Sequence, residues 1–402
     1  MYIANRDLMR EWNRKLVLSL IREQESISQV EISKKSGLSA GTVNNIIREM
    51  RKQGFIENLG QGESCGGRKP IIFRFNSKSK YVISVSFFVT ETKIAILDLN
   101  GNIQKKVSYP AHPEKGRQPL FEEFKKQVEL LFSQLSISKD KILALCASIE
   151  GVVNAQSGTL LISSHFGWRD VQIKKILEEL LGLKTFVESE GRSMALGEFY
   201  FGAGKKSNNM VCLDIDAGIG AAIISNGQIH YGAHQMEGEV GHTIAIPDGP
   251  LCRCGRYGCL EAVASGSGIL KRAAESIEKG IETSLSKEII QLPEREAIKI
   301  ILKECEKGDI LSSQILKDAA HYLGIAVSNI INYTDPELVV LTGYVSEEDT
   351  GFLLKIIQEV VQKTVFGNEL REVKIVKGEL GEDAVLIGGA TLAYKDMFTL
   401  LH

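Results

Sequence analysis

The chain reads as an α/β protein of two or three domains, a small basic helical head with a wing ahead of a larger acidic body of alternating strands and helices. Three observations predict this. At 402 residues the chain is longer than one hydrophobic core usually serves. Its formal net charge of −2 hides an asymmetry, because residues 1–80 carry 15 Lys and Arg against 8 Asp and Glu, or +7, and the remainder carries −9. Helical periodicity dominates the first 50 residues, and apolar runs of strand length open the body. A basic head on an acidic body implies that only the head meets a polyanion. No apolar run reaches the ~18 residues of a membrane span. The N-terminal Met-Tyr-Ile-Ala-Asn-Arg-Asp lacks the apolar core of a signal peptide, so a cytoplasmic location is expected. Cys65, Cys146, Cys212 and Cys305 are scattered, as reduced thiols are, rather than framed for disulfides.

Within residues 14–24, Leu16, Val17, Leu20 and Ile21 share one helical face and predict a first helix. Ser28-Gln29-Val30-Glu31 is a capping box, so a second helix begins there and runs to Ser36, where Gly37 breaks it. Leu38 is a core residue of the turn. Ser39 then caps a third helix with Val43, Ile46, Ile47 and Met50 at i, i+3, i+4 and i+7, leaving Ala40, Gly41, Thr42, Asn44 and Asn45 on its exposed first turns. A short helix, a glycine turn and a second helix make a helix-turn-helix, whose recognition helix enters the major groove. Asn44 or Asn45 suits adenine N6 and N7; with Ser39 and Arg48 the exposed residues form the expected DNA-binding set. Phe55–Leu59 and Ile71–Phe75 read as strands around Gly60–Pro70, a wing with Arg68 and Lys69 at its tip, where arginine fits a narrow, strongly negative minor groove.

Residues 76–80 form a polar linker. Strands follow at Tyr81–Val89 and Lys93–Leu97, a turn at Asp98–Gly101, an amphipathic helix over 119–135, and a buried strand at Ile142–Ile149. Later come a strand at Val211–Ile215, helices near 262–279 and 295–331, a strand at Leu338–Leu341 and a last helix near 385–400. Gly202-Ala-Gly204-Lys205 lacks the spacing of a phosphate loop and is set aside.

The densest chemistry lies between Gly238 and Glu261. His242, Cys252, Cys254 and Cys259 offer one imidazole and three thiols within one loop, the ligand number and softness of a closed tetrahedral Zn²⁺ site. Gly255 and Gly258 let the backbone fold tightly there. Glu239 and Glu261 flank the knot, and carboxylates so placed suit a polyhydroxylated ligand.

Gly218-Ile-Gly220, Gly232, and Gly238-Glu-Val-Gly-His242, followed by Cys-x-Cys-Gly-x-x-Gly-Cys-x-Glu, resemble the signature and zinc loop of the ROK family (repressors, open reading frames and sugar kinases). The head, with Gly66-Gly-Arg68-Lys-Pro70, resembles the winged helix-turn-helix of that family's repressors. The resemblance implies a two-lobed, actin-like or hexokinase-like fold, with domains at 1–78, at 79–195 together with 386–402, and at 196–385, the last holding the zinc loop and a dimerisation surface. It implies a sugar cleft between the lobes, with His165, Glu190, Glu239, His242 and Glu261 as sugar-binding residues. His165 stands where the family has asparagine, in Ser163-Ser-His165-Phe-Gly-Trp168. Glu190 replaces the kinases' catalytic aspartate and Ser189 the neighbouring asparagine. Where the kinases hold ATP phosphates on Asp-x-Gly-Gly-Thr and Gly-Thr-Gly, this chain has Ser86-Phe-Phe-Val-Thr90 and Asp216-Ala-Gly218.

The implied function is a sugar-responsive transcriptional regulator, a repressor released from its operator by a sugar, and not an enzyme. Its implied partners are a palindromic operator with A/T-rich flanks, a small sugar and further copies of itself as dimer or tetramer, with no membrane. Two readings stand beside it, an ATP-dependent sugar kinase and a repressor governed by a phosphotransferase-system protein.

Overall fold

The computed structural model describes residues 6–62, 69–135 and 137–398. The chain forms two compact units, one of Met1–Glu188 with Gly389–His402, the other of Ser189–Gly388.

The first unit begins with the head: α1 (Arg6–Glu23), β1 (Ile27–Ser28), α2 (Gln29–Ser36), α3 (Ala40–Lys52), β2 (Ile56–Gln61) and β3 (Ile71–Phe75). The capping box forms as its spacing requires. Ser28 Oγ accepts from the Glu31 N–H at 3.2 Å and Glu31 accepts from the Ser28 N–H at 2.8 Å, while Gly37, at φ +69°, closes α2 in the left-handed region. Val43, Ile46, Ile47 and Met50 of α3 are buried with Leu16, Val17, Leu20 and Ile21 of α1. Two features differ from expectation. A short strand, β1, pairs with β3 to give a three-stranded sheet ordered β1-β3-β2; two residues are too few to carry an alternation. α1 also starts at Arg6 rather than residue 14, because its first turns bury nothing and so leave no apolar periodicity.

The same unit continues with β4 (Tyr81–Phe87), β5 (Glu91–Asp98), β6 (Ile103–Pro110), α4 (Arg117–Leu135), β7 (Ile142–Ile149), β8 (Val152–Asn154), β9 (Thr159–Ser163), β10 (Trp168–Val171), α5 (Ile173–Leu181) and β11 (Thr185–Ser189). β4, β5 and β6 form an antiparallel meander, and β7 adds parallel to β4, giving the order β11-β7-β4-β5-β6. Phe87 is fully buried, edge-on to Phe121 at 5.6 Å and Phe124 at 5.4 Å. The unit's C-terminal segment returns to this sheet, where Tyr394 donates its hydroxyl proton to the Asp98 carbonyl at 2.6 Å. Arg22 of α1 lies over the Phe398 ring at 4.7 Å and the Tyr394 ring at 5.5 Å, so the head is seated on that segment.

The second unit holds α6 (Glu190–Phe201), β12 (Met210–Ile215), β13 (Ile219–Ser225), β14 (Gln228–Ile229), α7 (Leu260–Ala264), α8 (Gly266–Glu278), α9 (Glu294–Glu306), α10 (Ile310–Thr334), β15 (Leu338–Thr342), α11 (Tyr344–Glu348), α12 (Phe352–Thr364), β16 (Lys374–Lys377) and the start of α13 (Ala384–Met397). Its sheet runs β14-β13-β12-β15-β16, with β12, β15 and β16 parallel. The segment 295–331 is two helices, because Gly308 turns at φ +95° and Asp309 caps α10 by accepting from the Ser312 N–H. α6 and α13 meet backbone to backbone: a Cβ on Gly388 would lie 1.7 Å from the Ser193 carbonyl oxygen. Glu198 of α6 is fully buried and accepts from the N–H groups of Ala203, Glu379 and Leu380.

Candidate functional site

The head presents α3 as a recognition helix. Ala40, Gly41, Asn44, Asn45 and Arg48 are exposed, and Thr42 is half-buried. Ser39 caps the helix, accepting from the Thr42 N–H at 3.2 Å and lying 2.9 Å from the Thr42 hydroxyl, so these two side chains are engaged with each other. Arg48 donates to Asn45 Oδ1 at 3.2 Å, which leaves Asn44 the less encumbered amide. Lys69 is exposed near the wing's second strand. Arg68 lies outside the described residues.

In the second unit the loop from 238 to 261 gathers His242, Cys252, Cys254 and Cys259, whose ligand atoms all lie within 4.8 Å of one another. The spacings test the fit. Sulfur ligands ~2.3 Å from a tetrahedral zinc stand about 3.7 to 3.8 Å apart; Cys254 and Cys259 sulfurs are 3.7 Å apart, and Cys252 Sγ is 3.8 Å from His242 Nδ1. The chemistry agrees. A hydrogen bond from Arg256 lowers the Cys254 thiol to about 6, whereas burial pushes Cys252 and Cys259 up, so Cys254 is the ready thiolate and a bound cation would have to displace the protons of the other two. Gly258 turns at φ +76°, where a Cβ would lie 1.8 Å from the Ile246 carbonyl oxygen, so no other residue folds this loop as tightly.

His242 uses its two ring nitrogens differently. Nδ1 faces the cysteines, and Nε2 stands 3.9 Å from Glu239 Oε2, beyond hydrogen-bond distance. Glu239 is half-exposed, its side chain 53% accessible. Glu261, by contrast, is buried. It accepts from the Ile219 N–H at 3.4 Å and from the Cys252 thiol at 3.6 Å, and Arg253 stands 3.6 Å away. Arg253 also donates to the Ala217 carbonyl at 3.4 Å, so the metal loop braces the 216–219 turn. Glu190 is buried in the first turn of α6.

His165 belongs to the first unit, in the turn between β9 and β10, and is paired through Nδ1 with Glu150. Sequence reading singled out His165 without this partner, since the two lie on different connections. Arg253 was missed as well; only its place between two metal ligands marks it. So was Arg192, buried in α6, which stacks on Tyr231 at 5.1 Å and donates to the Gln235 carbonyl.

The turn that carries Asp216 is closed upon itself. Asp216 accepts from the Tyr344 N–H at 2.6 Å, and its own N–H donates to the Gly218 carbonyl. Burial raises its carboxyl to about 6, with Glu347 and Glu294 adding to the rise and Arg295 opposing it. No helix among the described residues is long and apolar enough to cross a membrane.

Comparison with known proteins agrees with both parts of this chain. The ROK family profile matches residues 82–396, and a winged helix-turn-helix DNA-binding profile matches residues 13–57. The xylose repressor of Caldicellulosiruptor bescii is 28% identical over 407 residues, covering 99% of each chain. The DNA-binding transcriptional dual regulator NagC of Escherichia coli is 28% identical over 395 residues, covering 98% of this chain and 95% of its own. Among solved structures, a ROK family transcriptional regulator described as a homolog of the E. coli MLC protein superposes with a TM-score of 0.83 at 24% identity, over 96% of each chain. A ROK hexokinase from Thermus thermophilus superposes with a TM-score of 0.65 at 24% identity, covering 79% of this chain and 98% of its own. At that identity the two structures establish the fold, a hexokinase-like body, to which this chain adds a head.

Proposed function

The chain belongs to the ROK family, and from that premise we propose that it is a sugar-responsive transcriptional repressor that holds operator DNA until a sugar releases it. The observation that carries this reading is a helix-turn-helix followed by the paired strands β2 and β3, its recognition helix exposed and apolar on the inner face only, joined to a ROK body. Relatives matching over nearly the whole length bear the names of a xylose repressor and of a transcriptional regulator. Asn44, Asn45 and Arg48, with Ala40, Gly41 and Thr42 allowing close approach, read the major groove, and Lys69 and Arg68 of the wing reach the backbone and minor groove.

Zinc is the metal that the His and three-Cys set favours, and when bound it supplies folding energy to the loop rather than a reactive site, since all four ligand positions are protein groups. His242, Cys252, Cys254 and Cys259 hold it. Glu239 and Glu190 accept hydrogen bonds from sugar hydroxyls; His242 Nε2 lies beside Glu239, and Glu261 supports the loop from within.

Kinase activity is disfavoured on specific grounds. Phe87 fills the first phosphate turn with a core side chain, Asp216 sets a carboxylate in the second, and Glu190 is a methylene longer than aspartate; an ångström of misplacement costs about 10²-fold. The same protein preparation tests both readings. Full-length protein should select a duplex from a random pool, lose it on addition of one member of a sugar panel, and show no ATP-dependent phosphorylation of any of them. Glu239→Gln should keep the duplex and require far more sugar for release. Failure to select DNA, or turnover of a sugar at an ordinary enzyme rate of about 1 to 10³ per second, would overturn the proposal. Because coupling is reciprocal, the duplex should weaken sugar binding by the factor by which sugar weakens the duplex.

A further inference from the structure

The outward face of α3 narrows to one stripe. Gly41, Asn45, Arg48 and Lys52 fall at i, i+4, i+7 and i+11, opposite the buried Val43, Ile46, Ile47 and Met50, and all four are exposed. Nothing in the fold asks for glycine at 41. Its backbone is helical, where glycine is weaker than alanine, and a Cβ there would meet nothing nearer than Ser39 Oγ at 4.0 Å. A bare backbone at that point serves an approach from outside the chain.

Arg48, on the same stripe, is held in place. Its Nη2 donates to Asn45 Oδ1 at 3.2 Å, and because a guanidinium carries no acceptor, the amide must turn its oxygen toward it. Glu49, the adjacent carboxylate, is drawn instead to α1, 3.3 Å from Arg10 and 3.7 Å from Arg14. The pairing changes what the stripe offers a base. Asn45 turns its acceptor along the helix and presents its N–H groups, and Arg48 keeps the rest of its fork, so the outward edge consists of donors. Such an edge matches guanine, which shows the acceptors N7 and O6 in the major groove. Adenine shows an N6 amino donor beside N7, and that donor would face donors.

We propose that Arg48 reads one guanine for each head bound to the operator, and that Asn45 is the residue that positions it rather than a reader of adenine. The proposal rests on the DNA-binding reading above. Asn45 anchors the guanidinium within a turn of the helix, beside the bare backbone of Gly41, so the fork enters the groove already oriented and loses less freedom on binding. Adenine is left to Asn44, which lies off this stripe and which Arg48 does not engage. Lys52, a turn beyond Arg48, suits a phosphate, whose contact carries no sequence information.

Selection from a pool of random duplexes tests this through base identity, which a merely structural role would not move. Full-length, metal-replete wild type should enrich guanine at one position per head, and exchanging that G·C pair for A·T should weaken binding roughly 5- to 150-fold, the worth of one bidentate contact. Arg48→Ala should lose guanine at that position alone, and adenine should replace it, because Asn45 Oδ1 is then released to accept from N6. Asn45→Asp keeps an acceptor for Arg48 and should keep the guanine, whereas Asn45→Ala should lower its enrichment. Lys52→Ala should weaken all sequences alike and leave the base profile unchanged. These side chains are exposed, so each variant should melt as wild type does. The proposal is overturned if Arg48→Ala keeps the guanine or weakens every sequence equally, as loss of a phosphate contact would. It is overturned equally if Asn45→Asp abolishes the guanine, or if wild type selects adenine at the position that both residues govern. If wild type selects no duplex, the DNA-binding reading fails first, and this proposal with it.

Discussion

Replacing Asp216 by asparagine should stabilise the protein more the higher the pH. The side-chain amide would keep an acceptor for the Tyr344 N–H, which the carboxylate now meets at 2.6 Å, and only the charge would be lost. That charge is costly in the folded state, because burial, Glu347 and Glu294 raise the carboxyl from 3.8 to about 6. The sign follows from linkage. A folded-state pKa above the unfolded one means that the native protein holds the proton more tightly, so the contribution is fully present below pH 3.8 and lost as pH rises through about 6. At 1.36 kcal/mol per pH unit the whole span is about 3 kcal/mol, of which roughly half is already gone by pH 5. Between about pH 5 and pH 8 the wild type should therefore lose on the order of 1 kcal/mol relative to Asp216→Asn. Urea midpoints of both metal-loaded proteins, measured in parallel, give this difference, and protonation of the metal ligands, common to both, cancels from it. A difference that stays constant across that range would refute the reasoning, and one that shrinks with rising pH would reverse it.

Chelation of the metal, or Cys254→Ser, should unfold the loop 238–261 and lower the melting temperature of the second unit; metal analysis finding no zinc in protein purified from zinc-replete cells would count against it. Gly388→Ala should cost roughly 1–3 kcal/mol or more, read as a lowered denaturation midpoint, because its Cβ would meet the Ser193 carbonyl oxygen at 1.7 Å and two backbones cannot yield as a side chain can. Arg22→Ala should remove a guanidinium stacked on two rings and loosen the head from the C-terminal segment, seen as faster amide exchange in α1 with the second unit unchanged.

What was legible in the sequence was what folds locally. The capping box at Ser28, the N-cap at Ser39, the left-handed Gly37 and the two cysteines flanking Arg253 all interact within a few residues, and the chain itself carries their spacing. The break between α9 and α10 was local too, in Gly308 and Asp309, but an apolar periodicity running on both sides of it masked it. Contacts across the fold were not legible. His165 and Glu150 come together only once β8 and β9 have paired. Glu261 has the spacing of a cleft carboxylate, yet the turn at 216–219, more than 40 residues away, supplies the Ile219 N–H that draws it inward.

That difference bears on how the site works. The four candidate metal ligands lie in one contiguous loop, so an ion held there would order a short segment at little cost in chain closure. The groups that transmit its shape come from elsewhere: Arg253 on the Ala217 carbonyl, Glu261 on the Ile219 N–H, and Asp216 on the Tyr344 N–H at the start of α11. In a kinase with this fold, the turn corresponding to 216–219 must stay open to receive phosphate. Here each of its backbone groups named above is already satisfied from within the protein. The turn joins the metal-ligand loop, where Glu239 stands exposed, to β12, β13 and α11 through hydrogen bonds, and on the proposed reading a sugar at Glu239 would strain or relieve them together.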